Sequence, residues 1–326
     1  MSSTLNSLYE RIQNVVPPIE WEIHKPWVEK ILQLKRERNA AILAHTYQSP
    51  EIYNTIADVR GDSLQLAREA TRVDADIIVM CGVRFMAETT KILNPSRLVL
   101  LPDLRAGCSM ANSITAADVR ALREKHPGLP VVTYVNTNAD VKAESDICCT
   151  SSNAVEVVQS LGVNEAIFIP DPYLGKWVQS KLPHVNLVLW DGPCEVHIKF
   201  TADDIAELKA RFPGISVLAH PECPEEVLGE ADFTGSTSAM SRYIGDHRPE
   251  RVALITECTM ADNVMASYPE VDVVRPCNLC PHMQRITLPA VADSLEKLQY
   301  PIEIEENIRV RAQQSLDRML AVRTQG

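Results

Sequence analysis

The sequence lacks the long apolar segments that a membrane protein needs. No run of 18 apolar residues occurs in the 326-residue chain, so no segment is expected to span a bilayer. The first residues carry scattered charges and no apolar run of signal-peptide length, and we therefore expect a cytoplasmic protein. In that reducing compartment the nine cysteines are expected to be thiols or metal ligands rather than disulfides.

Positive charge is also scarce. The chain has 32 Lys and Arg against 43 Asp and Glu, which gives a formal net charge of −11. This balance argues against non-specific binding of nucleic acid. It still permits an anionic small-molecule substrate, because helix N-termini and hydroxyl groups bind anions locally. Apolar residues make up 45% and charged residues 23%, the composition of a globular protein with a sizeable core.

A second Cys-x-x-Cys pair is missing as well. The segment RPCNLCPHM contains Cys277 and Cys280, a spacing that often binds a metal together with a second pair. Because the chain has no second pair, either further ligands come from elsewhere in the sequence or the pair binds no metal.

The chain does contain a threefold repeat. Three segments, beginning at Pro26, Ile114 and Phe200, each combine an amphipathic helix with a short β-branched strand. The second and third helices begin with Thr115 and Thr201 at N-cap positions and stop at Pro-Gly. Each repeat continues with a hydroxyl residue, a second apolar strand, another helix and a third strand. A cysteine-bearing loop ends each repeat, and these cysteines are 86 residues apart.

Short apolar strands separated by helices predict parallel sheets with helices on both faces. We therefore predict an α/β protein of three tandem α/β/α units related by a pseudo-threefold axis, plus C-terminal helices. The predicted parts are an N-terminal helical segment (1–25), three repeats (26–112, 113–199 and 200–286) and helices that pack on the assembly (287–326). An eightfold α/β barrel suits the length but not a threefold period.

The three strand-end cysteines are candidate metal ligands. Functional residues of parallel sheets gather at the C-terminal ends of strands, so a pseudo-threefold axis would bring Cys108, Cys194 and Cys280 together. Three thiolates suit an iron–sulphur cluster or zinc, and a cluster with three protein ligands leaves one iron open for Lewis-acid chemistry. Cys277 is then surplus. It is either a redox-active neighbour or a small buried residue, and we favour the second interpretation.

Polar residues occupy equivalent strand ends in the three repeats. The pairs are His45 with Tyr47, Tyr134 with Asn136, and His220 with Glu222, and the hydroxyl residues that follow are Ser63, Ser151 and Thr237. Taken singly, each hydroxyl could be only a helix cap. Taken together, the hydroxyls predict three helix N-termini around a cup that binds carboxylate or phosphate. His197 and His282 lie near cysteines in the sequence and are candidates to support the ligands.

These residues together resemble the type A quinolinate synthases. The resemblance covers nearly the whole chain and is carried by AHTYQSPEI, DSLQLA, GVRFMAETTKIL, YVNTNADVKAESD, TSSNAV, HPE, GSTS and CPHM. It implies three α/β/α domains about a pseudo-threefold axis and a [4Fe–4S] cluster on three cysteines. It also implies that iminoaspartate (iminosuccinate) and dihydroxyacetone phosphate condense to quinolinate, a precursor of NAD, with loss of phosphate and water.

The resemblance also assigns roles to positions. It places the cluster ligands at Cys108, Cys194 and Cys280, and the catalytic tyrosine at Tyr47. It places substrate binding at His45, Ser63, Tyr134, Val135, Asn136, Ser151, His220, Pro221, Glu222 and Thr237. From the chemistry we expect Glu222 to be the main general acid or base, with a pKa that burial raises toward neutrality, and His220 to relay protons. Val274 stands where some relatives have an extra cysteine, which puts a redox switch at Cys277 in doubt.

The expected partners follow from the same resemblance. They are the two small-molecule substrates. Transient contacts are expected with an L-aspartate-oxidising enzyme and with iron–sulphur assembly proteins. Binding to nucleic acid or to a membrane is not expected. Two other classes stay open, a zinc hydrolase using three thiolates and a non-catalytic iron–sulphur sensor or electron carrier. A catalytic zinc without histidine is unusual, and a carrier would need a fourth thiolate.

Overall fold

The computed structural model describes residues 2–323 of the chain. Twelve strands in this range form three parallel sheets of four strands each. The first sheet contains β1 (Ala40–His45), β2 (Val59–Gly61), β3 (Ile77–Cys81) and β4 (Leu98–Leu100). The second contains β5 (Val131–Tyr134), β6 (Ile147–Cys149), β7 (Glu165–Ile169) and β8 (Asn186–Leu189). The third contains β9 (Ser216–Ala219), β10 (Phe233–Thr234), β11 (Arg251–Ile255) and β12 (Asp272–Val274).

Helices alternate with these strands along the chain. They are α1 (Ser2–Glu10), α2 (Pro18–Glu37), α3 (Ser63–Ala70), α4 (Arg84–Leu93), α5 (Ser109–Asn112), α6 (Ala116–Lys125), α7 (Ala139–Ala143), α8 (Ala154–Ser160), α9 (Pro172–Lys181), α10 (Ala202–Arg211), α11 (Glu225–Glu230), α12 (Thr237–His247), α13 (Thr259–Ser267), α14 (Leu288–Lys297) and α15 (Glu306–Ala321). None of these described helices is long and apolar enough to cross a membrane.

All three sheets have the same strand order. The orders β2-β1-β3-β4, β6-β5-β7-β8 and β10-β9-β11-β12 are one topology used three times. The predicted fold class, three tandem α/β/α units followed by C-terminal helices, is therefore confirmed. The described chain forms three separate sheets, so the alternative prediction of one closed eightfold barrel is wrong. The boundaries between units stay predictions, and the first of them, residue 26, lies inside α2.

Successive strand residues enter different apolar clusters, as expected for sheets covered on both faces. Along β9, Val217 and Ala219 belong to one buried cluster while Leu218 between them belongs to another. In the second sheet, Val131 and Val132 divide in the same way between two clusters. A strand alternates its side chains between the two faces of its sheet, so each unit has an apolar layer on either side.

Local sequence explains where the repeated helices begin. The side chains of Thr115 and Thr201 each accept the backbone N–H of an aspartate three residues on, which reciprocates, so both form complete capping boxes. The predicted N-caps are therefore confirmed. A cap of this kind contributes about 1 kcal/mol to helix stability.

Each unit has one strand more than the sequence predicted. The extra strands β2, β6 and β10 contain three, three and two residues, which is too short to show a periodicity. Each pairs in parallel with the first strand of its unit. Because the hydroxyl residues follow these short strands, the extra pairing brings each hydroxyl beside a strand end.

Cys258 and Cys277 form a disulfide, which contradicts the expectation that no cysteine would be oxidised. Cys277 is exposed, so its interpretation as a small buried residue was also wrong. The two cysteines meet because Glu257 and Asn278 form an isolated parallel bridge that aligns their segments. The seven remaining cysteines form no disulfide, which agrees with the expectation for those residues.

Candidate active site

A cavity of about 700 Å³, its open mouth included, is lined by residues from all three units. Its lining contains twelve of the predicted site residues: His45, Tyr47, Ser63, Cys108, Tyr134, Asn136, Ser151, Cys194, His220, Glu222, Thr237 and Cys280. Two predicted residues do not line it. Pro221 is buried behind it, and Val135 lines a smaller neighbouring pocket.

Strand pairing accounts for this convergence. His45, the last residue of β1, is in register with Gly61, the last residue of β2, and Ser63 follows two residues later. In the second unit Tyr134 is in register with Cys149, and Ser151 again follows two residues later. The two strand ends therefore present one aromatic or imidazole group and one hydroxyl at the same edge of each sheet.

The cavity hydroxyls of Ser63 and Thr237 are not the caps of their helices. The N-cap of α3 is Asp62, whose side chain accepts the N–H of Gln65, and the N-cap of α12 is Ser236. Ser151 lies three residues before α8, so only two of the three predicted helix starts coincide with a hydroxyl. Other residues satisfy the helix ends, which leaves these hydroxyls available to a ligand.

Two polar atoms in the cavity wall lack partners. The hydroxyl oxygen of Thr237 and the side-chain oxygen of Asn136 are buried and form no hydrogen bond within the described chain. Thr237 is only 3% exposed and Asn136 only 8%. Because buried polar atoms are almost always paired, these two atoms are suited to contact a polar ligand.

A continuous chain of hydrogen bonds crosses the cavity. The hydroxyl of Tyr47 lies 2.6 Å from Thr256 Oγ1, which lies 2.9 Å from His197 Nε2. His197 Nδ1 is 2.8 Å from Glu222 Oε2, and the Tyr134 hydroxyl donates to Glu222 Oε1 at 2.5 Å. This chain joins the predicted Tyr47, Tyr134 and Glu222. Thr256 was not among the predicted residues, although it directly follows β11, and His197 was predicted only as a support for a neighbouring ligand.

Burial controls the protonation of the two predicted histidines. It lowers the pKa of His45 to about 4 and that of His220 to about 3, only partly opposed by nearby carboxylates. Burial also raises the pKa of Tyr47 and Tyr134, and the charge of Glu222 raises both further. At neutral pH His45 and His220 are therefore neutral imidazoles, and Tyr47 and Tyr134 are neutral phenols.

Glu222 does not have the raised pKa that the sequence predicted. Burial acts in that direction, but His220 and His197 and the hydrogen bonds from His197 and Tyr134 outweigh it and lower the pKa to about 2. The sequence could not show these donors because they come from another unit. Glu222 is therefore an ionised hydrogen-bond acceptor.

The three cavity cysteines have equivalent surroundings. Each sulphur accepts hydrogen bonds from the backbone N–H groups two and three residues further along: Met110 and Ala111, Val196 and His197, His282 and Met283. Burial raises the pKa of all three thiols, that of Cys108 to about 12. Buried thiols with oriented N–H donors suit a bound metal centre, which deprotonates its thiol ligands and is tuned by such hydrogen bonds.

Two buried carboxyl groups hold the loops of Cys194 and Cys280. Asp171 Oδ2 accepts the N–H of Cys194 and Glu257 Oε1 accepts the N–H of Cys280, both at 3.2 Å. Each carboxylate lies 23 residues before its cysteine. Neither residue was predicted from the sequence, although both occupy equivalent positions two residues after β7 and β11.

Another set of possible ligands overlaps the site. One atom from each of Cys194, His197 and Glu222 lies within 4.8 Å of the others. Such a mixed set would suit zinc. However, His197 and Glu222 already bond to each other and to Thr256 and Tyr134, so a metal there would break the chain of hydrogen bonds.

Comparison with known proteins identifies the family. The family described as "Quinolinate synthetase A protein" matches residues 29–321. "Quinolinate synthase 1" of Mesorhizobium japonicum is 58% identical over 316 residues, 97% of either chain. "Quinolinate synthase" of Agrobacterium fabrum is 56% identical over 316 residues, 97% of this chain and 91% of that one. This chain, matched along nearly its whole length, belongs to the quinolinate synthetase A family of enzymes.

Proposed function

We propose that this chain condenses iminoaspartate with dihydroxyacetone phosphate to quinolinate, with release of phosphate and water, in the biosynthesis of NAD. One observation carries the proposal: each unit contributes one cysteine, one strand-end polar pair and one hydroxyl to the same cavity. Relatives of matching length that are named quinolinate synthase support it.

Cys108, Cys194 and Cys280 would hold the [4Fe–4S] cluster that the family resemblance implies. The donor set fits, because three free thiols from three loops line one cavity and each sulphur accepts two backbone N–H groups. When bound, such a cluster supplies a Lewis acid at the iron that has no protein ligand. Cys81, Cys148, Cys149 and Cys223 do not line the cavity and have no place in this proposal.

The hydroxyls and amide of the cavity would bind the substrates. Ser63, Ser151 and Thr237 would donate to carboxylate and phosphate oxygens, and Asn136 would orient the condensing intermediate. The partnerless hydroxyl of Thr237 favours this assignment, because a ligand oxygen would satisfy it. His45 is neutral at neutral pH because its pKa is lowered to about 4, so it would contribute a hydrogen bond rather than a charge. Val135 and Pro221 would act by shaping the wall.

Proton transfers would run through the cavity's chain of hydrogen bonds. Glu222 is ionised and is our candidate for the general base, with Tyr134 and His197 holding its two oxygens in place. His220 contacts Ser151 through Nε2 at 3.2 Å and is neutral, so it can accept or donate a proton there. Tyr47 lies at the other end of the chain and would protonate an oxygen of the substrate.

Anaerobic purification followed by an assay for quinolinate tests the proposed function. The protein should be brown, contain iron and sulphide, and form quinolinate from the two substrates. Colourless protein containing zinc would favour a hydrolase that uses thiolates or the overlapping set of Cys194, His197 and Glu222. Brown protein that forms no quinolinate would favour a sensor or electron carrier.

The location and protein partners also belong to this proposal. We propose a cytoplasmic enzyme that transiently contacts an L-aspartate-oxidising enzyme and iron–sulphur assembly proteins. Crosslinking in cells, with the partners identified by mass, tests these contacts. Recovery of neither class of partner would remove them from the proposal without affecting the activity.

A further inference from the structure

Asp62 is a point where side chains from all three units meet. Its Oδ2 accepts hydrogen bonds from Ser152 Oγ at 2.6 Å and from Ser238 Oγ at 2.7 Å, one from the second unit and one from the third. Its Oδ1 accepts the N–H of Gln65 at 2.9 Å, which caps α3 in the first unit. The residue is 7% exposed, so these protein donors replace most of its contact with water.

Each residue of this junction adjoins a hydroxyl of the cavity in sequence. Asp62 precedes Ser63, Ser152 follows Ser151, and Ser238 follows Thr237. Neighbouring Cα atoms are about 3.8 Å apart, so fixing one residue fixes the backbone of the next. The junction therefore sets the spacing between three hydroxyls that belong to separate sheets.

The chain approaches Asp62 by a route that allows little movement. The carbonyl of Gly61 accepts the N–H of Thr46 at 3.0 Å, which ties the junction to the end of β1. A Cβ atom at Gly61 would lie 2.3 Å from the side-chain oxygen of Gln65 and 3.0 Å from its Cβ, so a larger residue there would displace the Gln65 side chain. Asp62 is thus held on one side by the first sheet while it accepts donors from the other two units.

Donors within the protein stabilise the carboxylate of Asp62. A carboxylate offers roughly four acceptor sites, and three are filled here. Hydrogen bonds from hydroxyls to an ionised carboxylate are roughly twice as strong as neutral ones. An anion close to an anion-binding cavity is otherwise unfavourable, and the three donors offset that effect.

We infer that Asp62 is a positioning residue: through Ser152 and Ser238 it holds Ser63, Ser151 and Thr237 at the spacing that binds the anionic groups of the substrates. The effect on substrates rests on the proposed function. The junction itself does not, since it joins the units whatever the ligand is.

Removing the donors one at a time tests this inference. Ser152→Ala and Ser238→Ala each remove one bond to Asp62 without changing a helix cap, and Asp62→Ser keeps a capping side chain while losing the double acceptor. We expect the KM of dihydroxyacetone phosphate or iminoaspartate to rise about tenfold to a hundredfold while kcat is largely retained, because losing a charge-assisted bond to Asp62 loosens the spacing of the hydroxyls that bind the substrates. In substrate-free protein, backbone hydrogen exchange should accelerate around residues 61–66, 150–154 and 236–240 in the double serine variant.

Thr115→Ala is the matched control, because it removes a helix cap on α6 away from the cavity. It should lower the melting temperature without changing either KM. A double serine variant with unchanged KM and unchanged exchange overturns the inference, even if Asp62→Ser fails to fold. If the wild-type protein forms no quinolinate, the proposed function fails, and faster exchange at the three segments still supports the junction while unchanged exchange overturns it.

Discussion

The carboxylate of Glu222 lies between two donors, the phenol of Tyr134 and the ring of His197. Around it, burial keeps His45 and His220 neutral, with pKa values lowered to about 4 and about 3. Glu222 is therefore an anion beside the neutral imidazole of His220 and the neutral phenol of Tyr134. Glu222 is therefore ionised and free to accept a proton at neutral pH, but its lowered pKa of about 2 makes it a weaker base than one whose pKa matches that pH.

Replacing Glu222 by Gln should abolish most of the turnover. A positioned acid or base typically contributes about 10²–10⁴-fold to a rate, and we expect a loss in kcat on that scale. Iron and sulphide contents should stay at wild-type values because no cysteine is changed. Glu226→Gln, an exposed carboxylate in the same unit, is the control and should leave kcat unchanged. Near-normal turnover in Glu222→Gln would make Glu222 a binding residue and move the proton work to Tyr47 or His220.

The lowered pKa of His45 predicts how stability depends on pH. The unfolded chain protonates this histidine near pH 6.5, whereas the folded chain does so only near pH 4. Between those values the unfolded state binds more protons, so the free energy of unfolding falls as the pH is lowered from about 6.5 to 4. Urea unfolding at pH 7.5 and pH 5 should show this loss, and His45→Asn should reduce it. If the free energy of unfolding depends on pH equally in the variant and the wild type, folding does not lower the pKa of His45.

At the scale of elements, loops rather than helices carry the cysteines, and other elements hold those loops. The ends of β7 and β11 are followed by Asp171 and Glu257, which accept the backbone N–H groups of Cys194 and Cys280. The three loops also contact one another: the N–H of Glu195 donates to Ser109, and His282 Nε2 lies 3.0 Å from a carboxylate oxygen of Glu195. The three cysteine loops are thereby held in place by contacts within the protein itself.

Removing either supporting carboxylate should weaken metal retention. Without Asp171 or Glu257 the N–H of its cysteine is left without that acceptor, and losses of outer supports typically reduce metal affinity about 10–100-fold. We expect Asp171→Ala and Glu257→Ala to lose iron to a chelator faster than the wild type. The fading of the brown colour under anaerobic conditions measures this loss. Asp191→Asn, an exposed carboxyl on the loop of Cys194, is the control. Iron loss at the wild-type rate in both alanine variants would contradict the role of these carboxylates.

At the scale of the whole molecule, no single unit contains the site. Each sheet supplies one cysteine, one polar pair and one hydroxyl to the cavity. The large apolar cluster that joins the first two units also contains Leu295 of α14 and Leu316 of α15, so the C-terminal helices help to keep those units in place. Activity should therefore be lost whenever one unit is displaced, even if every local element stays folded.

A serine scan of the nine cysteines tests whether ligands come from all three units. Cys108→Ser, Cys194→Ser and Cys280→Ser should each lose iron and sulphide after anaerobic reconstitution, because each removes one ligand from a different unit. Cys277→Ser and Cys258→Ser should retain the cluster, since these two residues form a disulfide with each other and are not proposed ligands. Loss of iron on changing Cys277, with retention on changing Cys280, would refute the assignment.

The sequence by itself determined the class of the fold and the location of most cavity residues along the chain. Helix caps, β-branched strands and the period of 86 residues are local properties, so they can be recognised without contacts. The same period placed the cysteines, polar pairs and hydroxyls at strand ends, where parallel sheets gather functional residues.

Only the tertiary structure decided how those residues act on one another. The two-residue and three-residue strands β2, β6 and β10 form because a longer neighbour is present to pair with them, which no local pattern encodes. The low pKa of Glu222, the disulfide of Cys258 and the junction at Asp62 depend on atoms from distant segments. Electrostatic and hydrogen-bond energies depend on distances in space, and distances between units are fixed only when the three units pack together.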